Sequence, residues 1–279
     1  MKKLLCASLM MLSMCTIFLQ AQTLKTPSPS PLQVIKQDFA LSFIEISYSR
    51  PDMKGRQIFG KLVPFGEMWR TGANKATRVS FGEDVKVGGN AIKAGDYALY
   101  TIPNKDEWEV ILNKGVNNGG TAGYKKEEDV VRFKVKPMSI HESVRTFTIQ
   151  IENVSSSACE IHIMWDKIAI SIPVLADIDS KIMTQIDDAL NKDNKPYFQS
   201  ANYYYENGKD LKQALTWVNK SIEANPDAFW MLHLKAKIQA KSGDKFGATE
   251  SAKKSIELAK KANNNDYVRL NEDLIAGLK

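Results

Sequence analysis

Near Ala176 the spacing of apolar residues changes, and no other feature of the sequence constrains the fold as much. From Leu32 to about Val174 apolar residues alternate or fall in short runs, the period of β-strands. After Ala176 they return every three or four residues, the period of an α-helix. The chain is therefore predicted to be α+β with its two kinds of structure segregated. An N-terminal antiparallel β-sandwich or barrel comes first, and an all-α region of tetratricopeptide-like repeats follows.

The β region is placed at residues 32–175. Asp38 to Tyr48 reads as one strand, with Phe39, Leu41 and Phe43 on one face and Ile44, Ile46 and Tyr48 on the other, so it is expected between two layers. Further strands are predicted at Thr77–Phe81, Asp96–Ile102, Trp108–Leu112, Val130–Val135, Thr146–Ile151 and Ile161–Ile172. Turn residues separate them, among them Gly88-Gly89-Asn90, Pro103-Asn104 and the run from Gly115 to Gly123.

In the helical region, Ile178, Ile182, Ile186 and Leu190 put one stripe on a linker helix over residues 176–194, with Asp177 as its expected cap. Residues 195–279 carry an internal repeat. Lys220-Ser221-Ile222-Glu223 returns as Lys254-Ser255-Ile256-Glu257, and Ala214 returns as Ala248, each 34 residues on, which is the tetratricopeptide period. The match departs from the pattern where Lys260 replaces a closing proline and where Asn202 and Ala236 replace an early glycine. Asp266 to Lys279 reads as a capping helix. Repeats of this type predict a surface for a protein or peptide partner. Tyr203, Tyr204 and Tyr205 stand about 100° apart on a helix, so at least one is expected to be exposed.

The first residues read as an export signal over 1–21: Lys2 and Lys3, an apolar run from Leu4 to Leu19, and a small residue at Ala21, after which cleavage is expected. Residues 22–31 then form a Pro/Ser linker. The expected product is exported, periplasmic or secreted, and keeps no transmembrane anchor. Loss of Lys2 and Lys3 lowers 38 basic residues to 36 against 32 acidic ones, and a net charge of +6 to +4. So small and dispersed an excess excludes nucleic acid as the expected partner. Cys6 and Cys15 leave with the signal and Cys159 remains, so no intrachain disulfide is expected.

No catalytic, metal or cofactor motif stands out. The glycines of Gly115–Gly120 lack the lysine and following helix of a phosphate loop, since Thr121 stands in the lysine's place. His141, His162 and His233 are far apart, and no metal site or cofactor is expected. Glu127-Glu128-Asp129 reads as a solvated loop, with a hydrolytic carboxylate pair as the alternative. The segment from Ser49 to Thr77 is irregular and basic, with Arg50, Lys54, Arg56, Lys61, Arg70 and Lys75 against Asp52 and Glu67. Long irregular loops in compact domains are often functional. Arginines beside glycine-exposed amides suit anionic oxygens. Arg50, Lys54, Arg56, Trp69, Arg70 and Asn74 are therefore the candidate ligand residues, Trp69 as a stacking platform for an anionic or glycan ligand. In the alternative, the aromatics pack on the sandwich and the arginines tie loop carbonyls.

The same segment carries a resemblance. "YSRPDMKGRQIFGKLVPFGEMWRTGANKAT", with "IKAGDYALYTIP" and "WEVILN" beyond it, resembles the secreted bacterial family termed domain of unknown function 2911. The resemblance covers about Leu32 to Val174 and implies an exported β-rich domain, with helical extensions in related proteins. It implies no reaction and no catalytic residues. The expected function is thus an exported, non-catalytic binding or interaction protein; the alternative is a periplasmic hydrolase acting on an anionic or glycan substrate.

Overall fold

The computed structural model describes residues 26–192 and 195–278. The chain divides into two compact units, one ending at Asp177 and the other beginning at Ile178. The expected signal peptide lies outside the described residues, as does the linker up to residue 25. The architecture is α+β: two antiparallel sheets, then six helices, among the described residues.

The strands are β1 (Leu32–Phe39), β2 (Ser42–Ser49), β3 (Ala73–Phe81), β4 (Val85–Val87), β5 (Asn90–Ile92), β6 (Gly95–Ile102), β7 (Trp108–Asn113), β8 (Asp129–Val135), β9 (Met138–Glu152) and β10 (Ala158–Leu175). One sheet runs β1-β2-β3-β6-β7-β8 and the other β5-β4-β10-β9. Neither sheet closes on itself, so the unit is a sandwich and not a barrel.

Alternation explains which way each strand faces. Ile44, Ile46 and Tyr48 of β2 are buried, as are Val79 and Phe81 of β3 in register with Ile46 and Ile44. Phe147 and Ile149 of β9 and Ile161, Ile163 and Trp165 of β10 are buried from the other sheet. Tyr48 meets Phe147 edge-on at 5.7 Å, so the inner faces of the two sheets touch there. Each such side chain contributes about 1.5–3 kcal/mol by leaving water.

Three expectations for this region need correction. Asp38–Tyr48 is not one strand but the end of β1 and most of β2, joined through Ala40 and Leu41 with Phe39 paired to Ser42. Ala40 takes a φ of 54°, so the chain reverses without a glycine or proline to announce it. Nor is β2 apolar on both faces, because Leu41 is exposed in the turn and Phe43 lies beneath the Lys36 ammonium at 4.1 Å. Finally, Ile161–Ile172 is no single straight run. Ala176 N–H donates to Ser157 O at 2.8 Å, and Ser171 Oγ donates to Glu160, so the two halves of β10 lie side by side about Asp166, whose φ is 53°.

The helices are α1 (Asp179–Leu190), α2 (Tyr197–Glu206), α3 (Leu211–Ala224), α4 (Phe229–Lys241), α5 (Lys245–Lys261) and α6 (Asn265–Gly277). Asp210 caps α3, accepting from Lys212 N at 2.8 Å; 34 residues later Asp244 caps α5, accepting from Gly247 N at 2.8 Å. Ala214, Ala248 and Ser255 are completely buried, and Ser221 nearly so, which places the repeated positions on the inner faces of α3 and α5. Ile182, Ile186 and Leu190 of α1 pack with Ala201, Trp217, Val218, Leu234 and Ile238.

Asp177 does not cap α1. Ile178 occupies that place, and its side chain makes no capping bond. Asp179 accepts instead from Lys209 Nζ and Tyr203 Oη, which in that order hold its carboxyl below the usual range. None of the three consecutive tyrosines is fully exposed. Tyr203 is held by Asp179, Tyr204 packs edge-on against Trp217 at 4.7 Å, and Tyr205 lies under Lys237 and Lys241. No described helix is long and apolar enough to cross a membrane.

Candidate functional site

The irregular segment between β2 and β3 is held in place by its own apolar side chains. Ile58 and Val63 are buried and Trp69 is 9% exposed. Trp69 stacks on Trp165 with ring centres 5.9 Å apart and meets Phe59, Trp108 and Phe147 edge-on. Its indole N–H donates to Gly72 O at 3.0 Å, and its backbone pairs with Thr101 in both directions. A side chain on Gly72, whose φ is 150°, would meet Ser49 O at 3.1 Å, so a glycine lets the segment close under the sandwich.

This packing builds the wall of a cavity of about 300 Å³. Pro29, Pro51, Leu62, Val63, Trp69 and Trp165 supply apolar surface; Lys54, Arg56 and Arg70 bring three cations against the single carboxylate of Asp52. The cavity stands at the lower end of the range for small-molecule sites. Of the six candidate residues the structure thus gathers four, Lys54, Arg56, Trp69 and Arg70.

Arg50 and Asn74 are placed elsewhere. Arg50 donates through Nε to Phe147 O at 3.1 Å and through Nη2 to Thr148 Oγ1 at 2.8 Å, and it lines a separate groove with Gln33 and Ile35. Asn74, at a φ of 60°, donates to Ser49 Oγ at 3.1 Å and to Ser30 O at 3.3 Å. Arg50 N–H also donates to Pro31 O, so the end of the Pro/Ser segment is tied down and Pro29 and Ser30 reach the cavity rim.

The three cavity cations differ. Arg56 is exposed and donates to Met53 O and Asp52 O, carbonyls of its own loop. Lys54 is exposed, and its backbone N–H donates to Asp52 Oδ1. Arg70 is different in kind: its Nε is shielded from solvent and meets no acceptor among the described residues. A buried donor without a partner costs about 1–3 kcal/mol, more when charged, and an anionic oxygen would relieve that cost.

The glycine run and the acidic run take other roles. Gly115–Gly123 folds against the basic segment, with Ala76 N–H donating to Asn118 O at 3.4 Å. Asp129 is no solvated loop residue. It opens β8 and accepts from Asn113, Tyr124 and Arg132. Burial opposes the Arg132 charge, yet hydrogen bonds to Asp129 and Tyr124 and the nearby Glu109 raise its pKa above the ordinary value. Glu160 accepts from His162 Nε2 at 2.7 Å and Ser171 Oγ at 2.9 Å, which lower its pKa. Burial pushes the Cys159 thiol up to about 11. Among the described residues no three His, Cys, Asp or Glu side chains are grouped to hold a metal ion.

A family model described as protein of unknown function (DUF2911) matches residues 30–174, a little over half the chain. The chain belongs to this DUF2911 family. The match takes in every strand except the last residue of β10, and the whole cavity wall from Ser30 to Trp165; Pro29 stands just outside it. Neither the curated proteins nor the solved structures compared with the chain match it. The DUF2911 domain thus places the cavity within the β unit, and its helices lie beyond the matched region.

Asp52 and Trp165 line the cavity although neither is among the six candidate ligand residues. Trp165 is legible as an inward residue of a strand, but only the folded sandwich brings it against Trp69.

Proposed function

We propose that this is an exported binding protein whose β unit holds a small anionic ligand in the cavity between Arg70, Lys54 and Trp69. The observation that carries the reading is the shielded Arg70 Nε, without an acceptor among the described residues, in a cavity where the lining cations outnumber the carboxylates three to one. Trp69 is largely enclosed by other rings, so its part is to form the cavity wall and not an open stacking face. Export rests on the sequence of residues 1–21. The six helices, with caps and buried alanines 34 residues apart, support tetratricopeptide-like repeats that serve protein contacts, and a groove beside Tyr197, Phe198, Trp230 and Met231 offers a place for them.

The test is calorimetric titration of the full chain with acetate, glucuronate and inorganic phosphate, and with glucose as a neutral control. At least one anion is expected to bind and glucose is not. Arg70→Ala is expected to weaken that anion by about tenfold or more, the loss of a charge-assisted contact. Equal binding of glucose and glucuronate, or full anion binding by a folded Arg70→Ala variant, would refute the reading. For export, N-terminal sequencing of protein recovered outside the cytoplasm should begin at Gln22; an intact Met1 in all compartments would contradict it.

A further inference from the structure

The two edges of the Arg70 guanidinium meet different surroundings. A Cβ built on Gly120 would lie 2.9 Å from Nη1 and 3.7 Å from Cδ of Arg70. The edge that carries Nη1 and Cδ therefore rests on the Gly120 backbone. The opposite edge carries Nε–H and Nη2–H, two parallel donors that match the two oxygens of a carboxylate. Nε, on that edge, is the shielded donor with no acceptor among the described residues.

Gly120 is itself held from behind. Tyr100 Oη donates to Gly120 O at 3.0 Å, Asn118 Nδ2 donates to Tyr100 Oη at 3.1 Å, and Asn118 O accepts from Ala76 N–H. Tyr100 is completely buried, so this support is fixed from the core of the sheet. Gly120 has a φ of 136°, where a side chain is strained as well as obstructed by Arg70.

We infer that the Gly115–Gly123 loop is a positioning element of the anion site, and that it presents the Nε–H/Nη2–H edge of Arg70 to a carboxylate-bearing ligand. The inference rests on the reading of the cavity as an anion site. Arg56 already engages Nε and Nη2 with loop carbonyls, whereas the Arg70 Nε has no acceptor among the described residues. One fork matches one carboxylate; a phosphate, with three exposed oxygens, asks for further donors. Gly120 and Tyr100 act through Arg70 and are positioning residues.

The test follows the arginine Nε–H resonances of the ¹⁵N-labelled full chain, with the Arg70 signal assigned by its loss in Arg70→Lys. Sodium acetate, sodium phosphate and sodium chloride are compared at equal ionic strength. Acetate is expected to shift the Arg70 signal saturably and chloride is not. Gly120→Ala is expected to weaken acetate by about tenfold, the equivalent of one charge-assisted hydrogen bond. Tyr100→Phe keeps the glycine and loosens only its support, so it should weaken acetate severalfold with the chain still folded by circular dichroism. Arg70→Lys should not restore binding, because an ammonium has no fork. If no anion moves the Arg70 signal, the anion site itself is wrong. If anions bind but chloride matches acetate, or folded Tyr100→Phe and Gly120→Ala bind acetate like the parent chain, the positioning role is wrong while the site stands. Tighter binding of phosphate than of acetate would overturn the carboxylate class.

Discussion

At the scale of single residues, Trp69 and Arg70 are neighbours with opposite fates. Trp69 is enclosed by Phe59, Trp108, Phe147 and Trp165, and its one polar atom is satisfied by Gly72 O. Arg70 keeps a shielded donor without an acceptor among the described residues. Trp69→Ala is expected to cost about 3–5 kcal/mol, the range for removal of a buried aromatic, read as a lowered urea midpoint. A cost below about 0.5 kcal/mol, the range of surface substitutions, would show that the aromatic cluster is not a core. That the segment mattered was legible in its composition. Which of its arginines is satisfied was not, because Arg50 finds its acceptors on β9, nearly a hundred residues on.

At the scale of elements, β9 is an edge strand whose outer backbone is satisfied by side chains of β2 and the chain after it. Tyr48 Oη accepts from Ile149 N–H at 2.9 Å and donates toward Ile149 O and Gln33, while Pro51 and Met53 pair with Phe147 and Arg145. An exposed edge invites pairing with other chains, and side-chain cover is one way to prevent it. Tyr48→Phe leaves the Ile149 N–H buried without an acceptor and is expected to cost about 1–3 kcal/mol, measured by urea unfolding. Wild-type stability in that variant would mean that another acceptor takes the amide. Strand alternation placed β3, β6, β7 and β8 correctly, since each carries a continuous apolar face. It failed at the β1–β2 turn, where alternation passes unbroken through Ala40, and at Asp166, where β10 folds back without a glycine.

At the scale of the whole molecule, acid should act on the two units in different pH ranges. His233 in α4 is partly buried and bonded through Nδ1 to Asn271 Oδ1 at 2.9 Å. Burial, with Lys237 nearby, lowers its pKa below the ordinary 6.5 despite the Asn271 bond. The unfolded chain then binds the proton more readily than the folded one, so this contribution is complete above about pH 6.5 and is lost as pH falls toward the lowered value. In the β unit Glu160 and Asp96 are lowered from carboxylate values of 4.5 and 3.8, so their contribution is lost only below those values. Hydrogen exchange read by mass spectrometry should show protection falling across 229–277 between pH 7 and pH 5, and little change across 32–175. Equal loss in both units, or none in the helices, would contradict the role given to His233.

The sequence by itself determined the order of the two units, the inward faces of most strands, the 34-residue repeat of the helices and the family. These follow from the period of apolar residues and from long local motifs, which fold physics reads locally. Only the tertiary structure decided how the basic segment is used. Antiparallel pairing sets Gly120 against Arg70, fifty residues before it, and sheet packing sets Trp165 against Trp69. Contacts of that range depend on strand register and on which sheet each strand joins, and no local pattern specifies either.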